Sequence, residues 1–271
     1  MISPRTKLMS TKKTVLLTND DGFHARGIKC LYDVLSPHYN VVVAAPEKEQ
    51  SGVAHTFTFM KPLFCREAGA DDRMPGYIIS GAPSDCVKFA ISAIMKKKPD
   101  ILVSGINDGD NSGVAAFYSG TVAAAREGAF YGIPSFAFSM YNRGSPHMEE
   151  YAAMAPMLID EILNAPHPQL DMRVFYNINF PACDPKESKG FKVTWQSMAN
   201  YEDEYKQIED KDHPSYGGYR VYGDRYGMEE SAAFDARAVL EGYIAVTPLN
   251  YDSTAHRMMP FLRQRIEDGI D

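Results

Sequence analysis

Thr14-Val15-Leu16-Leu17-Thr18 is a run of apolar and β-branched residues that breaks off at Asn19-Asp20-Asp21-Gly22, and this change constrains the fold more than any other feature of the chain. A short, continuous apolar run is what a strand buried on both faces requires, and a polar, turn-prone loop directly after it marks the strand's carboxyl end. Ile28, Leu31, Tyr32 and Leu35 then recur at helical spacing, and Ser36-Pro37 supplies a stop. Tyr39 to Ala45 reads as a second buried strand, so the segment predicts a parallel βαβ unit.

The alternation continues. Tyr77 to Ser80 reads as a strand, Ser84 to Met95 as a helix with Ser84 at its amino end, and Ile101 to Ser104 as a strand. The small-residue stretch Val122 to Phe130 reads as a helix, Ile133 to Ser139 as a strand, Met148 to Asn164 as a helix and Val174 to Asn179 as a strand. The expected class is α/β, a Rossmann-like, mostly parallel sheet flanked by helices. From Ser197 to Glu230 tyrosine, charge and glycine follow no steady period, which predicts an excursion: a hairpin, an exchanged arm or a partly mobile loop. Tyr243 to Leu249 returns as a strand, and His256 to Ile270 closes as a helix. The expected organisation is a polar extension over 1–13, a catalytic domain over 14–196, the excursion over 197–235, and a returning strand and helix over 236–271.

A net charge of -7 on 271 residues speaks against a protein that grips a nucleic-acid duplex, because such proteins present a basic face. A small phosphorylated ligand needs only a few local donors and a cation. Cys30, Cys65, Cys86 and Cys183 lie far apart without metal-site spacing and read as reduced core thiols. No stretch approaches the roughly 20 apolar residues of a membrane span, and the basic amino terminus leads into no apolar run. The expectation is a cytoplasmic protein with no membrane partner.

In open parallel sheets ligands bind beyond the carboxyl ends of the strands. Three polar loops fall there: Asn19 to Gly22, Pro46 to His55 and Gly105 to Gly113. Adjacent carboxylates at Asp20 and Asp21 repel each other and ask for a positive partner. Together with a serine hydroxyl and an asparagine carbonyl they form a hard-oxygen set suited to Mg²⁺ or Mn²⁺. Taken alone, Asp-Asp-Gly equally reads as a turn that caps the following helix. Ser119-Gly120-Thr121 opens a helix whose free amides suit a phosphate, and the same residues equally serve as an ordinary cap. Ser51 and His55 share a loop but lack the G-x-S-x-G elbow of a serine hydrolase, so His55 reads as a structural residue. Lys48 reads as a solvated loop lysine, the alternative being a residue that helps to hold an anion.

Taken in order, Thr18-Asn19-Asp20-Asp21-Gly22, Ala45 to Gly52, Ser80 to Lys88, Ser104-Gly105-Ile106-Asn107 and Ser119-Gly120-Thr121 resemble the motifs of the SurE family of survival-protein 5'/3'-nucleotidases. The likeness covers Thr14 to Ser139 and resumes over Glu241 to Leu249. It implies a phosphatase that uses a divalent cation, Mg²⁺ or Mn²⁺, on nucleoside monophosphates or other small phosphate monoesters. It also implies that Asp20, Asp21, Ser51 and Asn107 bind the metal, and that Asn111, Ser119, Gly120 and Thr121 hold the substrate phosphate. Asp20 is the candidate reacting carboxylate, as nucleophile or as base on water. The family's dimers or tetramers, with exchange of the carboxyl-terminal part, imply a homodimer or homotetramer here, with Ser197 to Glu230 as the candidate arm.

One departure stands out. Where the family usually carries Arg-Gly-Pro-Asn, this chain has Asp108-Gly109-Asp110-Asn111, so a positive charge gives way to two negative ones. That substitution supports an alternative, a nucleotide-binding regulatory protein of weak or no activity. A haloacid-dehalogenase type of phosphatase is disfavoured, since its two aspartates are separated by one residue whereas Asp20 and Asp21 are adjacent.

Overall fold

The structure is a computed structural model that describes residues 12–141, 143–165, 173–209 and 217–267. The first half of the chain builds β1 (Thr14–Thr18), α1 (Arg26–Leu35), β2 (Asn40–Pro46), β3 (Cys65–Glu67), β4 (Tyr77–Ile79), α2 (Pro83–Phe89) and β5 (Ile101–Asp108). Then follow α3 (Ala115–Tyr118), α4 (Gly120–Phe130), β6 (Ser135–Met140), α5 (Met148–Ala152), α6 (Ala155–Asn164), β7 (Val174–Phe180) and β8 (Phe191–Val193). The remainder is β9 (Asn200–Tyr201), β10 (Glu204–Ile208), β11 (Gly218–Tyr222), β12 (Arg225–Tyr226), α7 (Asp235–Leu240), β13 (Ile244–Asn250) and α8 (Met259–Leu262).

Nine strands form one sheet in the order β3-β4-β2-β1-β5-β6-β7-β13-β8, parallel except where β3 meets β4 and β13 meets β7. The fold is therefore the α/β class read from the strand runs. Side chains of successive strand residues point to opposite faces, and the core divides accordingly. Val15, Leu17, Ile101, Val103, Phe136 and Phe138 pack under α1, α5 and α6. Leu16, Leu102 and Ala137 pack under α2 and α4 with Val87, Ala124 and Ala125. Leu16 and Leu17 are fully buried, each worth about 2 kcal/mol relative to exposure. Chain connectivity runs outward from β1 in both directions, through β2 on one side and β5 on the other, which puts the switch point of the sheet between β1 and β5. Gly27 lets α1 start against this point: a Cβ there would sit 1.8 Å from the Ile106 carbonyl oxygen.

Several elements differ from the sequence reading. The Met148–Asn164 helix is two, α5 and α6, because Pro156 at the start of α6 removes a backbone donor and favours a fresh helix start. The helix expected from Ser84 to Met95 is α2 continued by a π turn over Ala90–Ile94; Pro83 opens it, and Ser84 is buried rather than capping. The carboxylate of Asp85 instead accepts the Ala82 N–H at 2.9 Å. The strand from Ile101 runs on to Asp108 through a register shift between Ser104 and Asn107 against β6. Cys65 is exposed on edge strand β3, so it is not a core thiol.

The stretch over 197–235 holds a long hairpin: β9 pairs with β12 at its base and β10 with β11 beyond, both antiparallel. The closing helix is short and mixed, a 3-10 turn at His256–Met258, α8, and a π turn at Arg263–Glu267; residues 268–270 of that reading lie outside the described residues, as do 1–11 of the amino-terminal extension.

Candidate active site

Asp20 leaves the carboxyl end of β1 and is 3% exposed. One of its oxygens accepts the Thr121 N–H at 3.0 Å and the other accepts the Thr121 hydroxyl. The carboxylate therefore rests on the amino end of α4, where backbone donors and the helix dipole favour negative charge. Gly120 allows this approach: a Cβ there would meet the Cβ of Asp20 at 2.8 Å and Pro83 at 3.1 Å. Ser119 caps α4, its hydroxyl oxygen accepting the Val122 N–H at 3.1 Å. The cap and the Asp20 contact both occur, and the Gly120 backbone joins Thr121 in favouring the charged form of Asp20.

Asp21 accepts the Asp108 N–H at 3.1 Å. Burial, joined by the negative charge of Asp20, pushes its carboxyl up to about 7. Burial likewise raises Asp20, against the opposing bonds from Thr121. A cation beside these two neighbouring carboxylates would relieve their repulsion and favour their charged forms.

A cavity of about 520 Å³ opens beside Asp20, lined also by Ser51, Asn107, Asn111 and Ser119. Asn107 gives its amide N–H₂ to the Gly109 carbonyl at 2.6 Å, which leaves its oxygen as the free group. Ser51 donates to Glu49 at 2.7 Å. Asn111 is buried; its backbone N–H donates to Asn179 and its side-chain amide to Ser139, both at 2.8 Å. Asp21 lines an adjoining cavity of about 260 Å³ with Glu49, Asp108 and Arg143. The structure thus brings Asp20, Ser51, Asn107, Asn111 and Ser119 around one space, with Asp21 next door and Gly120 and Thr121 behind Asp20. His55 faces away, bonded to Glu127 at 2.8 Å, and Lys48 stays exposed on its loop.

The donor chemistry fits a hard divalent cation: two carboxylates, an amide oxygen and a hydroxyl, all oxygen. Among the described residues no three histidine, cysteine, aspartate or glutamate side chains come together as a metal-holding group, so the asparagine and serine oxygens would have to complete the set. A larger groove of about 760 Å³, walled by Phe117, Trp195, Phe234 and Leu249, is apolar and lies apart from this chemistry.

Sequence reading missed several walls of the cavity: Tyr118, Tyr141, Arg143, Asn200 and Tyr201. It also missed Arg225, which reaches from β12 to Asp110 at 2.7 Å and to the Ser112 hydroxyl at 2.8 Å, beneath the Tyr201 ring. The one available signal was the unexplained pair Asp108 and Asp110, which implied cations elsewhere. Burial opposes the charge on Arg225, but Asp110 outweighs it and holds the guanidinium's pKa above its usual value.

Fold and site together define an open, doubly wound α/β protein with an oxygen-rich cavity at its switch point. Residues 15–203 match the sequence profile described as survival protein SurE. The 5'-nucleotidase SurE of Thermosipho melanesiensis is 40% identical over 255 residues, covering 94% of this chain and 98% of that protein. That of Aquifex aeolicus is 38% identical over 258 residues, covering 94% and 99%. The crystal structure of the SurE protein from Aquifex aeolicus superposes with a TM-score of 0.77 at 37% identity, covering 92% of this chain and 98% of that one. The chain belongs to the SurE survival-protein family.

Proposed function

We propose that this protein is a divalent-metal-dependent phosphatase that hydrolyses phosphate monoesters, with nucleoside 5'- or 3'-monophosphates as its substrate class. Two lines support the reading: relatives named 5'-nucleotidase SurE align along nearly the whole chain, and the acid pair abuts a helix amino end inside one cavity. The second carries it, because phosphoryl transfer asks the protein chiefly for positioned charge.

Asp20, Asp21, Ser51 and Asn107 would hold the cation, Mg²⁺ or Mn²⁺. When bound, it supplies neutralising charge to phosphoryl oxygens and orients the attacking group. The chain does the rest. Thr121 fixes both oxygens of Asp20, leaving lone pairs to act on water or phosphorus. Ser119 and Asn111 line the same cavity as Asp20, where the phosphate would sit, while the Gly120 backbone acts on Asp20. Thr121 spends its donors on Asp20, so its part is to position that carboxylate.

Asp108 and Asp110, the ground for a non-catalytic alternative, are each turned to a partner: Asp108 accepts the Gly144 N–H at 2.8 Å and Asp110 pairs with Arg225. We also propose a homo-oligomer, since Met258, Phe261, Leu262 and Ile266 near the carboxyl end are exposed. Among the described residues no helix is long and apolar enough to cross a membrane.

The test is phosphate release from a panel of nucleoside monophosphates and an aryl phosphate with Mg²⁺, Mn²⁺ or chelator, for wild type and Asp20→Asn. The expected result is metal-dependent release that falls by about 10²–10⁴-fold in the variant. Metal-dependent nucleotide binding without release under any metal would overturn the hydrolase reading.

A further inference from the structure

We propose that Arg143, on the loop after β6, is the cation that binds the substrate phosphate in this chain, taking over the charge that Asp108-Gly109-Asp110 removes from the β5 loop. The assignment rests on the phosphatase reading above.

Around the two adjoining spaces stand Asp20, Asp21, Glu49, Asp108 and Asp110. These carboxylates oppose the entry of a phosphate monoester, and a further positive charge facing the cavity offsets that repulsion beyond what one divalent cation supplies. Three arginines are near. Arg26 is committed to Glu149 at 2.7 Å and to the Ser145 carbonyl at 2.8 Å. Arg225 is committed to Asp110 and Ser112. Arg143 has no hydrogen bond or ion pair among the described residues, and it is the one cationic side chain lining the 520 Å³ cavity with Asp20, Asn107 and Ser119. It lines the Asp21 cavity as well, so it stands at the junction of the two.

Its position is built by Asp108, one of the two residues that depart from the family's usual ones, and by the retained Gly109. Asp108 accepts the N–H of Gly144, the residue after Arg143, at 2.8 Å, which ties the loop to the end of β5. Gly109 forms an isolated bridge to Met140 on the other side of the loop. The bare face of Gly109 then lies beneath the arginine: a Cβ there would come within 3.8 Å of the Arg143 Nε. Asp110 is neutralised separately by Arg225 from the hairpin base. One aspartate anchors the loop that presents the cation, and the other is removed from the field. A guanidinium suits the task because its planar fork matches two phosphoryl oxygens.

The test compares wild type, Arg143→Gln and Arg143→Lys by steady-state kinetics with a nucleoside monophosphate, by inhibition with inorganic phosphate, and by the metal concentration that gives half activation. Arg143→Gln is expected to raise both KM and the inhibition constant for phosphate by about 10- to 100-fold. The half-activating metal concentration and the melting temperature are expected to hold, since the side chain is exposed and unbonded. Arg143→Lys is expected to recover part of the affinity, keeping the charge but not the fork. Unchanged KM and unchanged phosphate inhibition in Arg143→Gln, with wild type active, would overturn this assignment and leave the phosphatase standing. Absence of release by wild type under every metal overturns the phosphatase reading, and this one with it.

Discussion

At the scale of single residues the site turns on one contact, the grip of Thr121 on Asp20. Thr121→Val keeps the volume and the backbone N–H but deletes the hydroxyl that faces a buried carboxylate. Loss of a hydrogen bond to a charged group costs about 1.5–3 kcal/mol. The expected outcome is a fall in turnover of about 10- to 100-fold, with a modest drop in melting temperature, read by phosphate release and thermal unfolding side by side. The positions that sequence exposes are those whose chemistry is unusual where they stand: paired acids after a strand, or serine and threonine ahead of a small-residue helix. Tyr141, Arg143, Asn200, Tyr201 and Arg225 carry no such mark, because each earns its place from contacts far off in sequence; Arg225 meets Asp110 across 115 residues.

At the scale of elements, α4 matters most, for its amino end meets Asp20 and its body is pinned from behind. Glu127 on α4 is buried and takes hydrogen bonds from His55 at 2.8 Å and Lys88 at 3.2 Å, joining α4 to the loop after β2 and to α2. Burial works to raise this carboxyl, but the two bonds outweigh it and hold it below its usual value of 4.5. A depressed folded-state pKa means that the charged pair stabilises the fold above the unfolded-state value and that this contribution is lost as pH falls through the lower, folded value. Glu127→Gln is therefore expected to cost about 1–2 kcal/mol at neutral pH. The gap to wild type in melting temperature should close in acid below that range; a gap that stays constant across the titration would count against the linkage.

The same scale shows why some elements were legible and others were not. β1, β4 and β7 are bounded by loops that break the apolar run, so their ends sit near where composition changes. The three-residue strands β3 and β8 show no alternation on which a period could be read, and tertiary pairing with β4 and β13 alone makes them strands. The hairpin over 200–226 was one of three alternatives for its stretch, and its strands could not be placed because both sides are exposed and no buried face imposes a pattern.

For the whole molecule, the carboxyl end is the feature that a lone chain leaves unexplained. Met258, Phe261, Leu262 and Ile266 are 51%, 67%, 48% and 54% exposed on a segment whose residues from Thr254 to Glu267 are all surface. An apolar stripe of this kind marks an interaction surface. Light scattering at micromolar concentration is expected to give a dimer or tetramer for the full chain and a monomer for a chain ended after Thr254. A full-length monomer would remove the proposal of self-association. The arm inferred from sequence was placed over Ser197 to Glu230, where exposed Tyr205, Tyr219 and Val221 offer a second candidate face.

The cavity itself is assembled from distant stretches of chain: Asp20 from β1, Asn107 from β5, Arg143 beyond β6, and Asn200 and Tyr201 at the hairpin base. A polypeptide growing from the ribosome acquires these parts one after another, and the clamp on Asp110 arrives only with Arg225. No fragment that ends before Arg225 holds the complete pocket, so the site forms only when nearly the whole chain is present.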